Sequence, residues 1–289
     1  MSLIAEILPA RSRDLGGFTV QRLLPAATRQ MVGPFIFLDH IGPAAFAPGE
    51  GVDIPPHPHI GLATVTYLFE GALLHRDSLG TVQEIHPGDV NWMSAGRGIA
   101  HSERTPVALR LDGARLHGLQ FWVALPLENE EDAPDFQHHP RTALPRVQGK
   151  NYTLTLIAGR GWGLASPVRT PCPLVYADVE FTGSGCFPLP AEHEERALYV
   201  VSGSISLEGD VLAPGQVYVL EKQLPAVLET QGPARLVVFG GTALAEPRRI
   251  WWNFVASSPA LIAEARRRWA DEEFAPVPGE TERLPLPVR

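Results

Sequence analysis

Residues 87–103 read PGDVNWMSAGRGIAHSE, and this stretch decides the fold that we predict for the chain. Pro87-Gly88-Asp89 is a turn signal, and it leads into an apolar strand candidate from Val90 to Met93. The glycines on both sides of Arg97 predict a second turn, and the residues from Ile99 to Glu103 then form the next strand candidate. The stretch therefore predicts strand, turn and strand, which is typical of an antiparallel β-protein.

Strand signals continue on both sides of this stretch. Residues 64–69 read TVTYLF, β-branched and aromatic, and Glu70-Gly71 closes them as a turn. A long apolar strand candidate from Gly118 to Leu125 precedes an acidic run at 128–132 and a proline-containing stretch that ends at Pro145. We place the domain boundary in this stretch, which gives an N-terminal domain over 1–140 and a C-terminal domain over 141–289.

The second half of the chain repeats the pattern of the first. ALYVVSG (197–203) aligns with VTYLFEG (65–71), and PGQV (214–217) then falls on PGDV (87–90). Two copies are too few for a solenoid, so the repeat favours an all-β chain of two tandem jelly-roll or cupin-type barrels. The 27 Gly and 28 Pro, spread over 289 residues, fit many short strands joined by turns.

One short helix is predicted near the C-terminus. Ser258-Pro259 is typical of an N-cap followed by the first helical position. Apolar residues then recur at helical spacing, at Leu261, Ile262, Ala265 and Trp269. We expect a docked helix here, following the second barrel and assigned to the C-terminal domain, and we expect the proline-rich tail from Ala275 to run extended over the surface.

Charge and composition exclude several classes of protein. The 24 basic and 32 acidic side chains give a formal net charge of −8, which argues against direct binding to nucleic acid. No run of about 18 apolar residues predicts a membrane span. The first 14 residues lack the apolar core of a signal peptide, and two cysteines are too few to staple a chain of this size, so we expect a cytoplasmic protein.

Two short motifs predict a metal site in the first barrel. His57-Pro58-His59 stands just before a predicted strand, and His101-Ser102-Glu103 lies on a later one. Alternate side chains of a strand share one face, so each motif places two side chains that can bind a metal on the same face of its strand. The sequence therefore predicts one divalent metal ion held by His57, His59, His101 and Glu103.

The donor set leaves the ion open among iron, zinc, manganese, nickel, cobalt and copper. Four protein ligands on an octahedral ion leave two adjacent positions for substrate or dioxygen. In the alignment of the two halves, the four donors correspond to apolar or neutral residues, Leu189, Ala191, Leu228 and Thr230. The second barrel is accordingly predicted to bind no metal.

The other histidines are weaker candidates on sequence grounds. His75 and His86 lie on the hairpin between the two motifs, and exposed strand positions are the expected place for both, with the mouth of the site as the alternative. His40 and His117 are expected at the edge of the core. Arg97, between two glycines, fits a solvent-facing turn or a cation placed near the metal.

Several motifs together are similar to those of the pirins, a family of bicupin proteins. They are DLGGF (14–18), FLDHIGP (37–43), PPHPH (55–59), TVTYLFEG (64–71), HRDSLG (75–80), PGDVNWMSAGRGIAHSE (87–103) and GLQFWVALP (118–126). The resemblance is strong over most of residues 10–126 and looser in the C-terminal half. It implies iron in the first barrel, with ligands at His57, His59, His101 and Glu103, and a second barrel without metal.

The chain departs from the family pattern at two places. Many pirins read H-R-G-F-E after the first histidine pair, whereas residues 59–63 here read HIGLA, so an arginine and a glutamate beside the metal are lost. Ala63 leaves Glu103 as the carboxylate candidate. Residues 251–255 read WWNFV where many pirins carry G-P-F-V-M-N.

The resemblance implies more than one function. Some pirins have quercetin 2,3-dioxygenase activity, which would make Glu103 a catalytic base acting on a small aromatic substrate, with dioxygen as the second substrate. Others are described as transcription cofactors, which implies a metal- or redox-sensing regulator that binds a protein partner. A metal-stabilised scaffold without activity is the third alternative. A metal-dependent dioxygenase acting on a flavonol-like compound is our leading hypothesis.

Overall fold

The computed structural model describes residues 2–15 and 17–287, and these are mostly β-strand, as the sequence predicts. Gly16, part of the motif at 14–18, lies outside the described residues. The strands of the first half are β1 (Ile4–Pro9), β2 (Arg11–Asp14), β3 (Thr19–Leu24), β4 (Phe35–Phe46), β5 (Asp53–His59), β6 (Leu62–Glu70), β7 (Leu73–Asp77), β8 (Val82–Ile85), β9 (Val90–Ser94), β10 (Ile99–Arg104), β11 (Ala114–Ala124) and β12 (Asp135–His139).

The strands of the second half are β13 (Arg146–Gly149), β14 (Tyr152–Gly161), β15 (Leu164–Ala165), β16 (Leu174–Phe181), β17 (Gly185–Leu189), β18 (Glu195–Ser202), β19 (Ile205–Leu207), β20 (Asp210–Leu212), β21 (Gln216–Leu220), β22 (Ala226–Thr230), β23 (Ala234–Gly241), β24 (Arg249–Trp251) and β25 (Phe254–Ala256). The α-helices are α1 (Val107–Asp112) and α2 (Pro259–Ala270), and Arg141–Ala143 form a 3₁₀ turn.

The chain divides into two compact units. The first unit contains Asp14–Val20, His40–Arg141 and the chain from Ala245 onward. The second unit contains the chain up to Arg13, Gln21–Asp39 and Thr142–Leu244. A compact unit is defined by packing, whereas a domain folds on its own, so the division into domains at residue 140 stays a prediction.

The first unit contains the two histidine motifs. One of its sheets has the antiparallel order β5-β10-β7-β8, and a second sheet contains the order β12-β9-β6-β11. Val65 on β6 lies in register between Phe121 on β11 and Trp92 on β9, and all three side chains are fully buried. The β-branched and aromatic residues that predict these strands thus fill the core of the first unit.

The second unit is built in the same way. Its small sheet has the order β17-β22-β19-β20, and its large sheet has the order β1-β21-β18-β23-β16-β14-β13 with β15 beside β14. A cluster of buried apolar residues draws on both sheets, for instance Phe187, Leu228, Leu198 and Leu236. Each unit therefore has its own apolar core, as two tandem barrels require.

Strand register corrects one detail of the alignment between the two halves. The alignment sets Leu189 and Leu228 at the positions of His57 and His101, which lie opposite each other on β5 and β10. In the second unit Leu189 lies opposite Ala226, and Leu228 lies opposite Phe187, so one of the two assignments is wrong by two residues. Every side chain in question is apolar, and no histidine stands at these positions in either case.

Helix α2 begins where the sequence predicts it. The Ser258 hydroxyl accepts a hydrogen bond from the backbone N–H of Leu261 at 3.3 Å, and Pro259 occupies the first helical position. Its buried face joins Phe254 in an apolar cluster with Ile60 and Ala100, the chain neighbours of His59 and His101. In the structure α2 belongs to the first unit, where it supports the ligand strands.

No helix in the described part of the chain is both long and apolar enough to cross a membrane.

Candidate metal centre

Strands β5 and β10 position the two histidine motifs. They pair antiparallel, with His57 opposite His101 and His59 opposite Ile99. His57 and His59 are two residues apart on β5, so their side chains share a face. The pairing brings His101 to the same face, and three imidazoles from two strands meet at one place.

The three imidazoles are close enough to bind one ion. Each offers a nitrogen, and these three nitrogens all lie within 4.8 Å of one another. The Nε2 atoms of His59 and His101 are 3.1 Å apart. All three rings are buried, with exposures of 7 % for His57 and 1 % for each of the other two.

Backbone carbonyls fix the orientation of two of these rings. His57 Nδ1 lies 2.9 Å from the carbonyl oxygen of Pro55, and His59 Nδ1 lies 3.0 Å from that of Asn253. A carbonyl oxygen only accepts hydrogen bonds, so both Nδ1 atoms carry the proton. In the neutral ring, the Nε2 atom is therefore unprotonated and carries a lone pair, and a nitrogen in this form can bind a metal.

Burial keeps these imidazoles neutral. It lowers the pKa of His57 from the usual 6.5 to about 4, and it lowers the pKa of His59 and of His101 well below 6.5. The neighbouring histidines lower the three pKa values further, because two positive charges at this distance repel each other. At neutral pH the three imidazoles therefore carry no positive charge that would repel a metal ion.

The cluster fits a transition-metal ion. Two ligands at a right angle, each about 2.1 Å from one ion, have donor atoms about 3.0 Å apart. The separation of 3.1 Å between His59 and His101 agrees with this distance. A cation placed between two such lone pairs would bind both nitrogens. Three imidazoles alone do not choose among iron, zinc, manganese, nickel, cobalt and copper.

Glu103 lies on β10 next to the cluster but is not part of the group of nitrogens within 4.8 Å. The pairing of β10 with β5 shifts register after His101, so that Glu103 lies opposite Ile54. Burial raises the pKa of its carboxyl group from 4.5 to about 7. Within residues 2–15 and 17–287 no hydrogen bond or ion pair reaches this carboxylate. Its role as a fourth ligand stays a prediction.

His75 lies beside the cluster, whereas sequence analysis preferred an exposed position for it and kept the mouth of the site as the alternative. His75, expected at an exposed strand position, is only 6 % exposed, and its Nδ1 lies 3.3 Å from Nδ1 of His101. His86, assigned the same kind of position, is indeed exposed. The signal for His75 is the i, i+2 spacing of His75 and Asp77, which on a strand puts both on one face. His40 and His117 form a separate pair, with their Nε2 atoms 2.7 Å apart.

In the metal-free protein, replacing His57 with glutamine is expected to change how stability depends on pH. Below pH 6.5 the unfolded chain binds a proton on His57, and the folded chain, with a pKa of about 4, does not. The free energy of unfolding of the wild type should therefore fall, relative to His57→Gln, by about 2 kcal/mol between pH 7 and pH 5. Urea unfolding with a chelator present measures this difference, and parallel pH profiles would contradict it.

Comparisons with known proteins agree with the two-barrel architecture. A family model described as Pirin matches residues 17–123, and a model described as the Pirin C-terminal cupin domain matches residues 176–275. A "Pirin-like protein" of Caulobacter vibrioides is 44% identical over 99% of this chain and 100% of its own length. A Pseudomonas aeruginosa protein named "Putative quercetin 2,3-dioxygenase PA1205" is 41% identical over 93% of this chain and 84% of its own.

Several solved protein structures are similar to this chain. The crystal structure of a quercetin 2,3-dioxygenase from Acinetobacter baumannii has a TM-score of 0.92 and 35% identity, and covers 98% of this chain and 95% of that one. Bacterial pirin YhhW from Escherichia coli, solved in complex with nickel(II), has a TM-score of 0.65 and 20% identity over 83% of this chain and 99% of its own. The second likeness shows the fold alone.

Proposed function

The chain belongs to the pirin family, and from this premise we propose that its first unit binds iron(II) and catalyses dioxygenase cleavage of a flavonol-like aromatic enol. The observation that carries the proposal is the convergence of three neutral, buried imidazoles, each of which can present a lone pair to one ion. The names of the Pseudomonas and Acinetobacter relatives support the reaction class.

In this proposal the three histidines have the same task. Nε2 of His57, His59 and His101 holds the ion, and the carbonyls behind His57 and His59 keep those rings from turning. The edge of the Trp122 ring system packs against the ring of His59 at a centroid distance of 5.3 Å, which limits its movement further. When bound, the metal supplies a Lewis acid that polarises the enol oxygen and a centre for dioxygen chemistry.

Glu103 is the proposed proton acceptor. Its carboxyl group is buried beside the cluster, and a pKa of about 7 suits a general base that works near neutral pH. We propose that Glu103 takes the proton of the substrate hydroxyl and so prepares the electron-rich ring for attack by dioxygen.

Addition of quercetin to the iron-loaded protein tests the substrate class. Under anaerobic conditions we expect a shift of the quercetin absorption band at a ratio of one flavonol per iron, because the enol oxygen would bind at the metal. Admission of air should then start oxygen uptake. No band shift, together with no oxygen uptake with any of the metals named above, would remove the dioxygenase proposal.

Replacing Glu103 with glutamine is expected to lower the rate of oxygen uptake with quercetin about 100-fold, since the amide cannot accept the proton. Bound iron should stay near the wild-type level, because the three imidazoles remain. Glu84→Gln is the matched control: Glu84 is half exposed on β8 of the same sheet, and its replacement should leave the rate unchanged. A Glu103→Gln protein with wild-type turnover would show that Glu103 is not the base.

A further inference from the structure

His101 differs from His57 and His59 in the group that faces its Nδ1 atom, the ring nitrogen that points away from the other two imidazoles. The Nδ1 atoms of His57 and His59 each face a backbone carbonyl, which can only accept a hydrogen bond. His101 Nδ1 faces Nδ1 of His75 at 3.3 Å. An imidazole nitrogen donates or accepts according to its tautomer, so this contact alone leaves the proton position of His101 open.

Asp77 settles the tautomer of His75. Nε2 of His75 lies 3.0 Å from Oδ2 of Asp77, whose side chain is fully buried. Oδ1 of the same carboxylate accepts hydrogen bonds from the backbone N–H groups of Leu79 at 2.9 Å and Thr81 at 3.1 Å. A carboxylate held in this way is an acceptor, so Nε2 of His75 carries the proton and donates it. Nδ1 of His75 is then a lone pair.

The direction of the next hydrogen bond follows. Because Nδ1 of His75 can only accept, Nδ1 of His101 carries the proton and donates it. Nε2 of His101 is left unprotonated, and this is the atom that lies 3.1 Å from Nε2 of His59 at the centre of the cluster. The chain of contacts from Asp77 through His75 thus gives His101 the same tautomer that carbonyls give to the other two ligands.

Packing keeps this chain of contacts in place. Strand β7 pairs with β10, with Asp77 opposite His101 and His75 opposite Glu103. The ring of Phe136 stacks on His75 at a centroid distance of 4.6 Å and an interplanar angle of 21°. His75 therefore has little freedom to turn away from its two partners.

We propose that Asp77 and His75 are positioning residues that set the tautomer of His101 and so raise the affinity of the site for a divalent metal. The second part of this inference rests on the proposal that the three histidines hold a metal ion. A hydrogen-bonded carboxylate behind a histidine ligand orients the ring and increases its basicity. In metal sites generally, loss of such a partner lowers the metal affinity about 10- to 100-fold.

The variant Asp77→Asn should reverse the tautomers without changing the shape of the side chain. The amide oxygen stays with the N–H groups of Leu79 and Thr81, so the NH₂ group faces Nε2 of His75 and donates to it. His75 then protonates at Nδ1 and donates to His101, which must carry its own proton on Nε2, at the centre of the cluster.

Nitrogen NMR of the metal-free protein reads these tautomers directly, since protonated and unprotonated imidazole nitrogens have distinct chemical shifts. In the wild type we expect His101 to be protonated at Nδ1 and free at Nε2, and in Asp77→Asn we expect the reverse. Asp53→Asn is the matched control, because Asp53 lies on β5 of the same sheet and pairs with Arg104 and Arg110 at the surface. It should keep the wild-type signals.

Titration with cobalt(II), followed by its visible absorption, measures the consequence for metal binding. Asp77→Asn should raise the dissociation constant about 10- to 100-fold, and Asp53→Asn should leave it unchanged. His75→Gln should keep the affinity for cobalt within a few-fold of the wild type, since its amide can donate a hydrogen bond to Asp77 and accept one from His101. His75→Phe, which offers no acceptor, should bind cobalt as weakly as Asp77→Asn.

Unchanged His101 tautomers in Asp77→Asn would overturn the proposal, and so would wild-type cobalt affinity in both Asp77→Asn and His75→Phe. If Asp77→Asn did not fold, the comparison of His75→Gln with His75→Phe would decide in the same way. Equal affinities of these two variants for cobalt would contradict the positioning role of His75. A wild-type protein that binds no cobalt at all would overturn the proposed metal function instead, and the NMR signals would still decide whether Asp77 sets the tautomer of His101.

Discussion

Replacing His101 with alanine is expected to reduce bound iron from about one ion per chain to less than about a tenth of that value, and to abolish oxygen uptake with quercetin. His101 is the one ligand of the cluster on β10, and its Nε2 approaches that of His59 to 3.1 Å. Its loss leaves two imidazoles, both from β5, on one side of the ion. Two neutral ligands hold a divalent ion far more weakly than three.

Metal analysis of protein loaded anaerobically and then desalted measures this loss. His86→Ala is the matched control, since His86 is an exposed histidine of the same unit, and its replacement should leave the iron content unchanged. If His101→Ala kept a full equivalent of iron, the ion would be bound elsewhere and the cluster would not be the metal site.

Replacing Gly61 with alanine is expected to destabilise the fold by roughly 3 kcal/mol or more. Gly61 follows the ligand strand β5 and has a φ of +64°, a conformation that a residue with a Cβ adopts at a cost. A Cβ atom at this position would also lie 2.0 Å from the backbone oxygen of Val255. Strand β25 would have to move, and the carbonyl of Asn253 that orients His59 would move with it.

Gly80→Ala separates backbone strain from the clash. Gly80 also has a positive φ, +89°, but a Cβ there meets no atom within 4 Å. We expect Gly80→Ala to cost about 1 kcal/mol. Urea unfolding with a chelator present compares the two variants, and cobalt titration should show weaker binding for Gly61→Ala alone. Equal losses of stability in the two variants would mean that the contact with Val255 is unimportant.

The parts of the site that could be predicted from sequence are those set by local geometry. Two histidines at i and i+2 share a face of any strand, which is enough to pair His57 with His59. The strand signals around residues 87–103 are strong enough to predict His101 on a later strand of the same barrel, whereas the direct pairing of that strand with β5 is seen only in the structure. The helix capped by Ser258 is predicted from that cap and from its apolar spacing, both local features.

The parts that could not be predicted depend on register and on distant segments. His75 is buried because β7 pairs with β10 and Phe136 covers the ring, and neither contact follows from residues 73–77 alone. The carbonyl that orients His59 belongs to Asn253, 194 residues further along the chain. A register shift beside Glu103 breaks the regular pairing of β5 with β10, so alternation along β10 does not fix the distance of Glu103 from the three imidazoles.

Anomalous diffraction at the iron edge, from crystals of the iron-loaded protein, tests the central claim most directly. We predict one strong peak in the first unit, about 2.0–2.2 Å from Nε2 of each of His57, His59 and His101. A fully occupied iron bound to other residues, or no peak among the three imidazoles in protein that contains one iron per chain, would contradict the account.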